Sequence, residues 1–433
     1  MKIVLIAGFS NPEIREHLEF RNDSRLYKLL IKAFGLPSRV GKFRDYGPWV
    51  PNIITEIEKH SDMELHVVGP QIRLKQSVQT FQMRGVTYHF FPSEWTSFMR
   101  ICGSYRLWKR LQRSTHYVRQ VVDEVKPDLI VLSGAENPAT SIGILASDNY
   151  PRLCLCQTIY NNPERSQYMH PQKLIQDMEM DIFRHLDYLG VYSSLHYKLL
   201  REFRPNATIF KFGYPSKGML LESSEVKKEY DFVNFALMHG SRKGTPDSIQ
   251  ALAIVKKKYP NVTLNIVGGC DPKGMEQLKA LVAELHLEKN VMFTPFFEKS
   301  SDLMLHVQKS RFAVLPCKMD HTAGTMTQAM QLGLPLVVYK TTGTPSFNCE
   351  KQCALIAEKE NVVQLAQHMM LLMDNQGLAE SLKANAREFQ EKKAEIAKQN
   401  GNRLVETFKA IIAKEHRGKD IPQELLFNPE KDI

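Results

Sequence analysis

The 433-residue chain lacks any apolar run near the roughly 20 residues that a membrane-crossing helix requires, so no segment reads as a transmembrane span. It also lacks cysteines at metal-ligand spacing. Cys102, Cys154, Cys156, Cys270, Cys317, Cys349 and Cys353 are scattered and odd in number, which fits reduced, mostly buried thiols and a cytoplasmic setting. The apolar start from Lys2 to Gly8 is too short, and too soon polar, for a signal peptide; it reads as a first buried strand entering a turn. No short-period repeat is visible. The net charge of +10 is mild, with residues 1–212 holding 28 Lys+Arg against 21 Asp+Glu and the remainder 29 against 26. Neither a steep basic bias nor a reader motif is present, so nucleic acid is not expected as a partner.

What is present describes a soluble globular chain, 43% apolar and 24% charged, long enough for two domains of about 200 residues each. β-Branched apolar runs alternate with helical patterns, which predicts α/β architecture with parallel sheets covered on both faces. Strands are expected at Ile3–Ile6, Leu65–Val68, Val86–Phe90, Leu129–Leu132, Leu153–Cys156 and Leu189–Tyr192 in the first half. In the second half they are expected at Phe232–Phe235, Leu264–Val267, Val291–Phe293, Phe312–Leu315 and Leu336–Tyr339. A turn-rich, then charged stretch from Gly213 to Glu229 marks the break. The expected division is 1–212, 213–395 and a terminal helix with tail, 396–433.

The segment from Asp320 to Val338 carries the most chemistry. A strand exits at Val314-Leu315-Pro316, Gly324 allows close backbone approach, and the amides of Thr325, Met326 and Thr327 open a short helix. Gly333 and Pro335 stop that helix before the next strand. Orphan amides and the positive end of the helix dipole favour an anion at such a place, although an ordinary crossover helix can end in the same way. Gly240-Ser241-Arg242-Lys243-Gly244 also follows a strand and precedes a helix. Its two cations suit a diphosphate clamp; a solvated basic turn would look alike. Gly268 and Gly269 end a third strand, and Phe296 and Phe297 follow a fourth, where they could stack on a base or simply fill core. In the first half, Glu136 places a carboxylate at a strand end, to orient an acceptor or to open a helix. Residues 95–122 contain no acid but six basic residues, with Leu107, Leu111, Val118 and Val122 expected as the core stripe and the arginines outward. Such a helix suits an anionic membrane surface, or is an ordinary charged face.

These strings resemble the GT-B nucleotide-sugar glycosyltransferases, especially their large retaining family four. Asp320 and Gln328 fall on that family's paired glutamates, one shortened and the other uncharged. Lys243 falls on its conserved lysine, with Met238 where an arginine is usual. The resemblance implies two Rossmann-like domains, with a last helix crossing back to the first. It implies Arg242, Lys243, Asp320 and Glu136 as catalytic residues, and Gly240, Gly268, Phe296, Phe297, Gly324, Thr325, Met326 and Gln328 around the donor. On the acceptor side it implies Gly8, Ser10, Tyr46 and Tyr160, the last in place of a histidine. No metal and no cofactor are implied; the nucleoside-diphosphate sugar is a co-substrate. Expected partners are that donor, a glycan or lipid-linked acceptor, and the inner face of an anionic membrane. A nucleotide-sugar epimerase and a catalytically degraded binding protein remain open as alternatives.

Overall fold

The β-branched runs form two separate sheets in a computed structural model that describes residues 1–21, 45–75, 78–93, 104–163, 165, 172–215, 226–297, 299–319 and 324–429. The chain divides into one unit of Met1–Ser216 with Ala397–Ile433, and a second of Lys217–Ile396.

The first unit holds β1 (Lys2–Ile6), β2 (Glu64–Gln71), β3 (Gln79–Met83), β4 (Val86–Pro92), β5 (Leu129–Ser133), β6 (Arg152–Leu155), β7 (Tyr188–Val191) and β8 (Thr208–Lys211), in the order β3-β4-β2-β1-β5-β6-β7-β8. All neighbours are parallel except β3 with β4. Alternation along β1 feeds two cores. Val4 and Ile6 join Val118, Val122 and Ile182 on one face, while Ile3 and Leu5 join Ile53, Val67 and Phe408 on the other.

The second unit holds β9 (Tyr230–Met238), β10 (Leu264–Gly269), β11 (Val291–Thr294), β12 (Ser310–Leu315), β13 (Leu336–Tyr339) and β14 (Ala354–Ala357), all parallel, in the order β11-β10-β9-β12-β13-β14. One helix, Gln376–Arg417, belongs to this unit up to Ile396 and to the first from Ala397. Leu382 packs in a core of the second unit; Leu404, Phe408 and Ile411 complete a core of the first.

Both sheets reverse strand order at their first strand, β1 between β2 and β5, and β9 between β10 and β12. A reversal leaves a crevice outside the carboxyl ends of the two flanking strands, where such folds bind ligands. Gly8 and Glu136 follow β1 and β5, while the basic turn and Pro316 follow β9 and β12. Those exits are where the chemistry belongs.

The structure corrects two expectations. β3, β8 and β14 were not anticipated: β3 is an amphipathic edge strand and the other two span only four residues each. The basic stretch is two helices, Tyr105–Leu111 and Ser114–Val125, instead of one continuous stripe. Val118 and Val122 are core, but Leu107 and Leu111 are 47% and 49% exposed while Trp108 is buried. The break around Gln112 resets the helical phase, so the apolar positions of the two segments do not share a face. The cations described in this stretch, Arg106, Lys109, Arg110, Arg113 and Arg119, are exposed, with Lys109 also pairing with Asp181 at 2.6 Å and Arg119 Nε donating to the Ala146 carbonyl at 2.8 Å.

Candidate functional site

In the second unit, the exit of β9 is built around His239. Its Nε2 lies 2.9 Å from the Val267 carbonyl, which can only accept, so Nε2 carries the proton and Nδ1 accepts from the Thr245 hydroxyl at 3.0 Å. Burial, with Lys243's charge beside it, holds this imidazole below its usual range, which keeps it neutral. His239 thus ties the turn Gly240–Gly244 to the exit of β10. Gly268, at φ +135°, permits that closeness, since a Cβ there would sit 1.8 Å from the Ala236 carbonyl oxygen.

The same turn is fastened to the exit of β12. Lys318 N donates to the Arg242 carbonyl at 3.0 Å, and Cys317 Sγ lies 3.6 Å from both that carbonyl and Lys243 Nζ. Gly244 faces Pro316 so closely that a Cβ would meet its carbonyl oxygen at 2.0 Å. Beneath lies an ion network that sequence reasoning missed. Lys318 Nζ reaches Asp247 at 3.0 Å and Glu360 at 3.2 Å, and Tyr339 OH donates to Asp247 at 2.9 Å. Burial of Lys318 opposes its charge, but the hydrogen bonds and charges of Asp247 and Glu360 outweigh it and raise the ammonium's pKa.

The helix after this exit runs from Gly324 to Gln331, with open space around Gly324 and Thr325 and Gln328 half-buried. Met326 is wholly in the core, which leaves its backbone alone to face a ligand. Asp320 lies outside the described residues. Gly240 has nothing within 4 Å of a would-be Cβ. Phe296 is 53% exposed, whereas Phe297 packs against His306 with ring centroids 5.1 Å apart. Leu237 and Met238 are exposed at the end of β9, so apolar surface stands where a second cation was usual in the resembled family.

In the first unit, Ser10 and Tyr46 exchange backbone hydrogen bonds at 3.0 and 3.1 Å, which brings the Gly8 turn beside the Tyr46–Trp49 loop. Tyr46 OH donates to the Pro70 carbonyl, and burial raises this phenol far above its usual range. Tyr160 is core, its N–H donating to Glu179 at 2.7 Å and its ring lying under Arg165. Glu136 is different. Its Oε2 is buried with no hydrogen-bond partner, and burial raises the carboxyl to about 7; the Glu179 charge adds to this, while the Glu136 and Ala135 amides and Arg165 oppose it.

A carboxyl raised in the folded state contributes stability that is fully present below its unfolded pKa and is lost as pH rises through its folded pKa. Between pH 4.5 and about 7 the native protein should therefore lose about 3 kcal/mol at this group, at 1.36 kcal/mol per pH unit. Glu136→Gln should abolish that loss. Denaturant midpoints at pH 5 and pH 8 test it; equal pH dependence in both proteins would refute the assignment.

Two doubly wound units, each with a strand-order reversal at its first strand, are the parts of the GT-B fold. Residues 221–389 match the family described as Glycosyl transferases group 1. Among solved structures, sucrose-phosphate synthase of Thermosynechococcus elongatus superposes with TM-score 0.64 at 14% identity, covering 94% of this chain and 99% of that one. The Anabaena protein HepE in complex with UDP-glucose gives TM-score 0.61 at 14% identity, covering 94% and 100%. These likenesses establish the fold. An uncharacterized glycosyltransferase of Haemophilus influenzae is 27% identical over 136 residues, 31% of this chain and 37% of that protein's length. Among the described residues no helix is long and apolar enough to cross a membrane.

Proposed function

We propose that the protein transfers a sugar from a nucleoside-diphosphate sugar to a glycan or lipid-linked acceptor, with retention and without a metal, in polysaccharide biosynthesis. The observation that carries this reading is the Arg242–Lys243 turn fastened by Lys318 and Cys317 to the strand exit that leads to the Gly324 helix. Two fixed cations beside a helix start suit a leaving diphosphate, whose charge grows as the bond breaks. In the transfer, the bond from the anomeric carbon to the phosphate oxygen breaks and its electron pair leaves with the nucleoside diphosphate. The acceptor oxygen bonds to that carbon, and its proton passes to the departing phosphate.

HepE was solved with UDP-glucose, which makes that compound the first donor to try. Incubation with labelled nucleotide sugars tests the reading: transfer supports it, interconversion would point to an epimerase, and binding without turnover to a degraded enzyme. Gln328 gives a finer test. A glutamine carbonyl accepts from one ribose hydroxyl and its amide donates to another. Gln328→Ala should weaken nucleotide binding in calorimetric titration, while Gln328→Glu stays within about tenfold, or roughly 1.4 kcal/mol. An unaffected alanine variant would separate this residue from the donor.

The setting we infer is cytoplasmic, peripheral to an anionic membrane. What supports this is the helix Tyr105–Leu111, which exposes Leu107 and Leu111 beside the exposed Arg106 and Arg110. Arg106→Gln with Arg110→Gln should reduce sedimentation with anionic vesicles at low salt and leave nucleotide affinity unchanged. No vesicle binding by the native protein would end this idea.

A further inference from the structure

Among the described cysteines only Cys349 is exposed. It follows the short helical turn Thr344–Asn348 and opens the loop into β14, while Cys353, the residue before β14, closes the same loop. Glu350, Lys351 and Gln352 between them are all exposed. Asn348 ties the two ends of the loop together. Its Oδ1 accepts from the Cys353 and Ala354 amides at 2.9 and 3.1 Å, and its Nδ2 donates to the Ala354 carbonyl at 3.0 Å. The tip is held as well, since Lys351 pairs with Glu388 and Glu350 with Lys392, both partners on the helix Gln376–Arg417.

Cys353 Sγ turns back over this closed loop and donates to the Lys351 carbonyl at 3.4 Å. Disulfide-bonded residues have Cα atoms about 4.4–6.8 Å apart. A side chain as short as asparagine, spanning from Asn348 to the Cys353 amide, holds the flanking backbone near that range. Burial first, then the charge of Cys349 ahead of any other, push the Cys353 thiol up to about 11, so it stays protonated near neutrality. Cys349 is differently placed: solvent touches it, and Lys393, whose ammonium lies over the Phe389 ring at 5.0 Å, feels its charge. An accessible sulfur beside a cation, with a second thiol close by, is the setting in which peroxide oxidises cysteine reversibly. Cys154 and Cys156 make the contrast, with sulfurs 4.0 Å apart but both wholly buried.

We propose that Cys349 and Cys353 form a modification site, at which hydrogen peroxide converts their two thiols to a reversible disulfide. The Cys349 sulfur attacks one peroxide oxygen; the S–O bond forms, the O–O bond breaks, and the other oxygen takes the thiol's proton and leaves as water. The Cys353 sulfur then attacks the Cys349 sulfur. The S–S bond forms, the S–O bond breaks, and the hydroxyl leaves with the Cys353 proton as a second water. Two thiols give up two electrons and one peroxide is reduced. A bridge that closes so short and exposed a loop adds little stability and is readily reduced again. Because the strands of the second sheet run parallel, the start of β14 lies at the edge opposite the exits that lead to Lys243 and Gly324. The site therefore stands independently of the transferase reading.

The test treats the folded full chain with excess hydrogen peroxide at neutral pH, blocks free thiols with N-ethylmaleimide and digests with trypsin without reduction. Cleavage after Lys340, Lys351 and Lys359 separates the two cysteines. Mass spectrometry should find peptides 341–351 and 352–359 linked in most chains, and dithiothreitol should part them. In Cys349→Ser, Cys353 should stay reduced under the same treatment, because the sulfur that meets the peroxide is gone. Linkage of Cys349 to any other cysteine overturns the proposal, as does sulfinic acid at Cys349 beside an unreacted Cys353. So does linkage that appears only in urea, or a treated chain that keeps all 7 thiols. Oxidation of Cys353 in the Cys349→Ser variant as fast as in the native protein overturns it too.

Discussion

Replacing Arg242 and Lys243 together by alanine should weaken nucleoside-diphosphate binding by roughly two to four orders of magnitude, because removing each charge-assisted hydrogen bond costs about 1.5–3 kcal/mol. The fold should survive. The bond that fastens this turn to the β12 exit uses the carbonyl of Arg242, which alanine keeps, and both glycines that permit the tight approach remain. Calorimetric titration with UDP measures the weakening, and a circular-dichroism melt checks the fold. A double variant that binds UDP as the native protein does would place the diphosphate elsewhere.

Lys318→Met should cost about 3–5 kcal/mol of stability, the usual effect of removing one member of a buried ion pair. Lys318 and Asp247 have side chains only 10% and 8% exposed. Without the ammonium, Asp247 keeps the Tyr339 hydroxyl but remains a buried charge with no cation of its own in that pair. Lys318→Met with Asp247→Asn should recover part of the stability, since the stranded charge is then gone. The lysine's pKa is raised, so its contribution is present throughout the neutral range and disappears only in alkali, above the usual lysine range. Urea denaturation of the two variants at pH 7 decides the matter. A single variant as stable as the native protein would show the pair to be idle.

The sequence was most legible where one residue type answers to one local force. The runs around Val4, Val67, Val131, Val233 and Val337 read as strands because β-branched residues buried on both sides have few alternatives. β3 hid because only Phe81 and Met83 of Gln79–Met83 are apolar, so this edge strand owes its conformation to pairing with β4. Leu107 and Leu111 misled for a related reason: their spacing fits one long helix, and nothing local announces that the phase resets at Gln112. At the site, the Arg242–Lys243 turn and Glu136 could be found as charges at strand ends. The Lys318–Asp247–Glu360 network could not, since its members meet only after β12 has paired with β9 and the helix Thr245–Lys256 has packed beside them.

The helix Gln376–Arg417 also sets a schedule for synthesis. The sheet face of Ile3, Leu5 and Val67 is covered partly by Phe408 and Ile411, which the ribosome adds only after the whole second unit has been made. During translation the early strands emerge with part of their apolar surface bare, while the second unit, uninterrupted in sequence, can close its own cores first. Nascent chains in that condition are prone to aggregate and are held by chaperones. The unit made first is the one finished last, and a chain stalled before residue 404 would carry that bare face to every neighbour it meets.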